Sequence, residues 1–293
     1  MRTLLLPLAM LLALVTTPSL ANEQAEAAYE RASATLRTGD FATALAGYAD
    51  AAAADPENSR YQRRVDLLER VQRLRTLLAE SEADAETWEK AARFLRSFYL
   101  SNGIHGEAVA LDERRLERFR SPAARVDLAE SCLRAGLDQR SVVLLAALEP
   151  EHVTTRSELL RGTGLARTGE LAAARAIAQR VAASEEGAPA ELLERACLNA
   201  LVGDLDKAAA QLRVALSSSP DAEHASLLAK AKTRADLAAL RTPAHAAVFA
   251  TIRFKTISHG LFKIGPQPNH LDSFTPWDQL SPRFPTLARW DAR

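Results

Sequence analysis

Gly203-Asp204-Leu205-Asp206-Lys207-Ala208-Ala209-Ala210-Gln211-Leu212, running on to Ala215 and Pro220, is the stretch that decides the fold. The glycine supplies the unrestricted backbone that a turn between two helices needs. Five residues after the glycine comes Ala208, small enough for two antiparallel helices to pack closely. Pro220 then closes the second helix.

Outward from this stretch the same grammar recurs around Gly39, Gly103, Gly136 and Gly169. With Gly203 these glycines are 64, 33, 33 and 34 residues apart, the larger gap being nearly two periods. A fixed period of this size marks stacked supersecondary units. Five places past each glycine stand Ala44, Ala108, Ser141, Ala174 and Ala208, and seven places before stand Ala32, Arg96, Ala129, Gly162 and Ala196. Each unit therefore reads as a helical hairpin. The first copy, Gly39-Asp40-Phe41 followed by Ala44, Tyr48, Ala51 and Pro56, is as clean as the last. The copy around Gly103 departs from it, with Arg96, Asp112 and Arg115 where the pattern wants small or apolar groups, while Leu95, Tyr99 and Ala108 keep its helical face.

These offsets of Gly, Ala, aromatic or Leu, Ala and Pro resemble the tetratricopeptide repeat (TPR) signature over about residues 23 to 220. The resemblance implies an all-α fold, a right-handed superhelical solenoid of antiparallel helix hairpins, with repeats at about 25–58, 89–121, 122–154, 155–188 and 189–222. Between the first two, residues 57–84 read as one long unpaired helix in the place of a degenerate repeat. Leu67, Val71, Leu74 and Leu78 follow helical spacing there, and Asp66 with Arg70 and Glu69 with Arg73 are i,i+4 pairs. Its arginines, Arg60, Arg63, Arg64, Arg70, Arg73 and Arg75, read as a patch for an anionic partner or, as the interleaved carboxylates favour, a solvated face. Residues 221–253 are expected to cap the array, since Asp236-Leu237 through Leu240-Arg241 and Pro243 resemble the segment that closes TPR arrays, and a solenoid needs a covered end. Residues 254–293 alternate prolines with aromatics and read as an irregular, extended tail.

In the TPR family the first helices of successive hairpins line a concave groove. The resemblance places Tyr29, Ser33, Lys90, Arg93, Ser97, Leu100, Glu130, Leu133, Arg156 and Thr163 on it, a mixed surface with apolar rungs and scattered arginine. One TPR subclass clamps a terminal carboxylate with Lys at the fifth repeat position and Asn at the ninth. Here the ninth position holds Ser33, Ser97, Glu130, Thr163 and Cys197, so the clamp is absent. In the tail, Phe274 and Trp277 are candidates to dock in the protein's own groove, to meet a partner, or to seal the last hairpin.

Chemistry is sparse. Lys plus Arg and Asp plus Glu both number 37, which leaves no bulk charge for nucleic acid. The six histidines never fall at metal-ligand spacing on a helix, and no paired Cys-x-x-Cys, phosphate loop or nucleophile elbow occurs. No catalytic, cofactor or metal residue is assigned, and the chain does not read as an enzyme. Cys132 and Cys197 lie close to two repeats apart, beyond disulfide reach for stacked hairpins, and are expected as buried free thiols.

At the N-terminus, Arg2, an apolar run from Leu4 to Val15, Pro18 and then Ser19-Leu20-Ala21 read as a signal peptide over 1–21. A dozen apolar residues fall short of the roughly 20 that span a bilayer. The expectation is an exported chain beginning near Asn22, in the periplasm or, second, secreted, without membrane insertion. Its expected role is a scaffold or adaptor for a protein or peptide. The alternatives are an assembly component of an envelope machine for secretion or polysaccharide export and, third, a metal binder or enzyme with a TPR body.

Overall fold

All five spaced glycines take φ between 73° and 91°, the left-handed region in which a residue without Cβ carries no strain. In the computed structural model, which describes residues 17–80, 84–181, 187–250, 258–259 and 262–263, each of these turns joins two helices. The aspartates after Gly39 and Gly203 cap the helices that follow: Asp40 accepts from the Thr43 amide at 3.1 Å and Asp204 from the Lys207 amide.

The fold is all-α. In order come α1 (Thr17–Arg37), α2 (Phe41–Ala54), α3 (Ser59–Ala79), α4 (Ala85–Ser101), α5 (His105–Phe119), α6 (Pro122–Arg134) and α7 (Asp138–Ala146). These are followed by α8 (Thr155–Arg167), α9 (Leu171–Val181), α10 (Pro189–Leu201), α11 (Leu205–Ser218) and α12 (Asp221–Thr233). Short 3₁₀ turns cover Pro150–His152, Ala235–Arg241 and Ala246–Ala250, and Ser258–His259 pairs antiparallel with Phe262–Lys263. α1 continues unbroken across Ala21 and Asn22, the expected cleavage point, while residues 1–16 lie outside the described residues. So do Phe274 and Trp277. Among the described residues no helix is long and apolar enough to cross a membrane.

The glycine-linked helices pack as pairs: α1 on α2, α4 on α5, α6 on α7, α8 on α9 and α10 on α11. Small side chains set the spacing. A Cβ built on Gly47 would lie 2.9 Å from that of Ala32, and one on Gly162 would lie 2.8 Å from Leu198 Cδ2. Ala44, Ala108, Ala174 and Ala208, each five places past its glycine, are fully buried.

Helix α3 has no glycine-linked mate and packs against both α2 and α4. Side chains tie helices that are two apart in sequence. On one side Arg60 of α3 reaches Glu26 of α1, Arg75 of α3 lies 3.5 Å from Glu107 of α5, and Arg140 of α7 lies 2.6 Å from Glu113 of α5. On the other, Glu130 of α6 takes Arg96 of α4 at 3.0 Å and Arg156 of α8 at 2.6 Å, and α8 packs on α10. The helices thus form two layers, α1, α3, α5 and α7 in one and α4, α6, α8 and α10 in the other. The lone α3 moves the first helix of a hairpin from the layer of α1 to that of α4. Beyond α11, Leu237 and Leu240, both fully buried, join Leu212 and Leu216 in one apolar cluster, so the 3₁₀ turns cover the last hairpin.

Candidate functional site

The exposed edge of the α4–α6–α8 layer carries four of the expected groove residues. Lys90 and Arg93 on α4 point to solvent, but each has an i,i+4 carboxylate, Glu86 at 2.5 Å and Glu89 at 2.8 Å. Ser97 is exposed one turn further on, and Arg156 of α8 is half exposed.

Behind this edge lies a buried ion network that the sequence showed only as misfits. Asp112 of α5 is fully buried and accepts from Arg96 Nε at 2.8 Å, Arg115 Nη1 at 3.2 Å and Ser131 Oγ at 2.6 Å. Arg115, itself buried, also donates to Asp127 at 2.9 Å and to Glu89 at 2.7 Å. Arg156 then bridges Asp127 at 2.8 Å and Glu130 at 2.6 Å. Four helices, α4, α5, α6 and α8, are therefore cross-linked by charge. A buried ion costs several kcal/mol to desolvate, so this arrangement is stable only because each charge meets several partners.

The same geometry orders the protonation states. Burial opposes charge on Asp127, but Arg96, Arg115 and Arg156 together outweigh it and hold the carboxyl below its usual range. Burial likewise opposes charge on Glu130, and Arg96 with Arg156 overrides it. Glu89 is lowered against its own burial by Arg115 and Arg93.

The chain of charges continues toward the C-terminus. Arg134 lies 3.7 Å from Glu130 and 3.6 Å from Glu194 of α10, and Glu194 takes both Nη atoms of Arg234, at 2.8 and 2.9 Å. Arg234 also meets Asp236 at 3.0 Å, and Asp236 receives Arg167 of α8 at 2.8 Å. The covering 3₁₀ segment is thereby fastened to α8 and α10 by paired guanidinium–carboxylate contacts.

Of the other expected groove residues, Glu130 lies within the network on α6, between Arg96 and Arg156, and the rest lie off this edge. Tyr29 and Ser33 sit in the opposite layer, in a cleft of about 490 Å³ with Arg37, Arg60, Arg64 and Asn102. Arg60 stacks over the Tyr29 ring at 4.0 Å, and Ser33 Oγ bonds Tyr48 Oη at 3.0 Å. Leu100 is half buried against the first apolar core, and Leu133 and Thr163 are buried. Gly164 lets α8 come close to α7: a Cβ there would lie 2.8 Å from Val142 Cγ2, and 3.4 Å from Leu133 Cδ2 beside it. One continuous groove through all ten positions is therefore not what the chain builds. The signal that could have found the network was the charge of the misfits, two arginines and an aspartate in one hairpin.

Cys132 and Cys197 are buried free thiols. Burial pushes the Cys132 thiol up, and that of Cys197 to about 12, so neither supplies a reactive thiolate. Glu149, Glu151 and His152 bring ligand atoms within 4.8 Å of one another. All three are exposed around one short turn, which would leave much of a cation's coordination to water.

Comparison with protein-family models and with curated proteins found no match to this chain.

Proposed function

We propose that this chain is an exported scaffold or adaptor of the TPR type, which holds a protein or peptide partner on the edge of the α4–α6–α8 layer. The observation that carries the reading is a helix face fixed from behind by the Arg96–Asp112–Arg115–Asp127 network, with Lys90, Arg93, Ser97 and Arg156 left in contact with solvent. Such a face presents charges in one geometry, which limits the side-chain ordering a partner must impose. The 33- to 34-residue recurrence of glycine-linked hairpins supports the repeat assignment, and α3 takes the place of a degenerate copy. No catalytic residue or cofactor enters this reading, and the apolar N-terminal run supports export.

The test uses a photo-reactive benzophenone side chain at position 97 in envelope preparations of the native host, with position 143 as control. Val143 lies in the other layer and is well exposed. One discrete partner captured from position 97 and not from 143, and lost in the K90E/R93E variant, is the expected result. Equal capture from both positions, or none, would overturn it. N-terminal sequencing of the exported chain should begin near Asn22, and recovery of intact Met1 would remove the signal-peptide assignment. If the captured partner belongs to a large envelope complex, the chain is an assembly component of that machine.

A further inference from the structure

A cleft of about 640 Å³ opens on the other layer, between α5, α6 and α7. Its floor is apolar, made by Leu116 and Leu144, both half buried, and by Leu128. Its rim is basic. Arg140 is matched by Glu113 at 2.6 Å and Arg125 donates to the Ala147 carbonyl at 2.6 Å, but neither Arg120 nor Arg125 has an ion pair among the described residues. Arg120 is held at φ 48°, the one positive-φ residue other than glycine among the described residues, which fixes the chain at the cleft mouth. A leucine floor under unmatched arginines suits a ligand with large apolar side chains and adjacent carboxylates.

The chain contains such a segment. Between Lys263 and Arg283 there is no Lys or Arg, and the carboxylates are Asp272 and Asp278, each directly after a large apolar residue, Leu271 and Trp277. Leu271, Phe274, Trp277 and Leu280 recur at every third place, with Pro266, Pro268, Pro276 and Pro282 among and beside them. Residues three apart share one side of a polyproline II segment. Reach is ample: the 27 residues from Ala250 to Trp277 span up to about 90 Å when extended, against about 30 Å for three hairpins stacked at ordinary helix spacing.

We propose that the α5–α6–α7 cleft receives the chain's own segment 271–280, with Trp277 on the leucine floor and Asp278 against Arg120. The tail is then an internal occupant of a face distinct from the partner-binding edge, and it ties the end of the chain to its middle.

The test places a benzophenone side chain at position 277 of the full-length protein, at dilution, and maps the cross-link by mass spectrometry. The expected product is intramolecular, on fragments that carry Leu116 or Leu144. R120E should lower its yield about fivefold, and adding D278R should restore it, as reversal of a charge pair requires. D278R alone, which changes only the tail and leaves the cleft intact, should show the same loss. Cross-links to other fragments, cross-linked dimers, or a yield indifferent to both single variants would overturn the proposal. None of these outcomes bears on capture at position 97, so the two readings fail separately.

Discussion

Arg96 Nε and Asp112 Oδ2 meet at 2.8 Å inside the α4–α5 hairpin, at the level where the other hairpins place Ala32, Ala129, Gly162 or Ala196 on the first helix. A charged pair takes the space that small and apolar side chains fill elsewhere, and Arg115 and Ser131 complete the shell around the carboxylate. Two misfits in the repeat are thus one compensated contact.

Removing Asp112 should be far costlier than removing an exposed member of the network. D112A leaves the buried Arg115 and the partly buried Arg96 with a carboxylate missing, which costs about 3 kcal/mol or more. R156A, with a side chain 52% exposed, should cost less than about 1 kcal/mol. Urea unfolding of the two variants reads the difference, and similar losses would count against a buried network.

Acid should weaken the fold in a defined window. Glu89, Asp127 and Glu130 all have lowered folded-state pKa values. The unfolded chain therefore takes up protons first as pH falls, through the usual carboxylate range near about 4. Stability from these groups is complete above that range and is lost as pH drops through the lower, folded values. The urea midpoint should stay level from about pH 7 to 5 and fall between about 5 and 3, and a level midpoint across the second interval would refute the assignment.

Two glycine-to-alanine changes should move stability in opposite directions. In G47A the new Cβ would lie 2.9 Å from that of Ala32. Neither atom can rotate away, so α1 and α2 must separate, at a cost of about 1–3 kcal/mol. Around Gly106, in the first turn of α5, a Cβ would meet nothing within 4 Å. G106A should gain up to about 1 kcal/mol by restricting the unfolded chain. Thermal melting of the pair checks both signs.

Both cysteines should resist thiol reagents while the protein is folded. They are fully buried, and burial pushes the Cys197 thiol up to about 12. Labelling with a chromogenic disulfide reagent should be negligible in native buffer and reach both thiols in denaturant. Prompt native labelling would show that α6 or α10 opens locally.

The hairpins were legible because the signals that make them are local. A glycine and a small residue five places on act within one turn and its flanking helices, so their period appears directly in the chain. The network was not legible, because Arg96 reaches Asp127 and Glu130 on another hairpin, and pairings of that kind leave no short-range pattern. The groove was only partly legible for a different reason. Counting repeat positions assumes that every first helix occupies the same layer, and the gap between Gly39 and Gly103 conceals three helices, α2, α3 and α4. Tyr29 and Ser33 consequently fell on one face and Lys90, Arg93 and Ser97 on the other. Leu133 and Thr163 were lost to the groove by close helix approach, which repeat position alone does not report.

The unpaired α3 also sets a parity rule for this architecture. A duplication or deletion of a whole hairpin adds or removes two helices and leaves every later helix on its own side. Loss of α3 alone would change the count by one. Each later hairpin would keep its internal contacts, yet the helices behind Lys90 and Arg156 would exchange sides with those around Arg120, and the molecule would be turned inside out from α4 onward. Changes in the length of this chain are therefore tolerated by even numbers of helices, and α3 is the one odd step on which the sidedness of both faces depends.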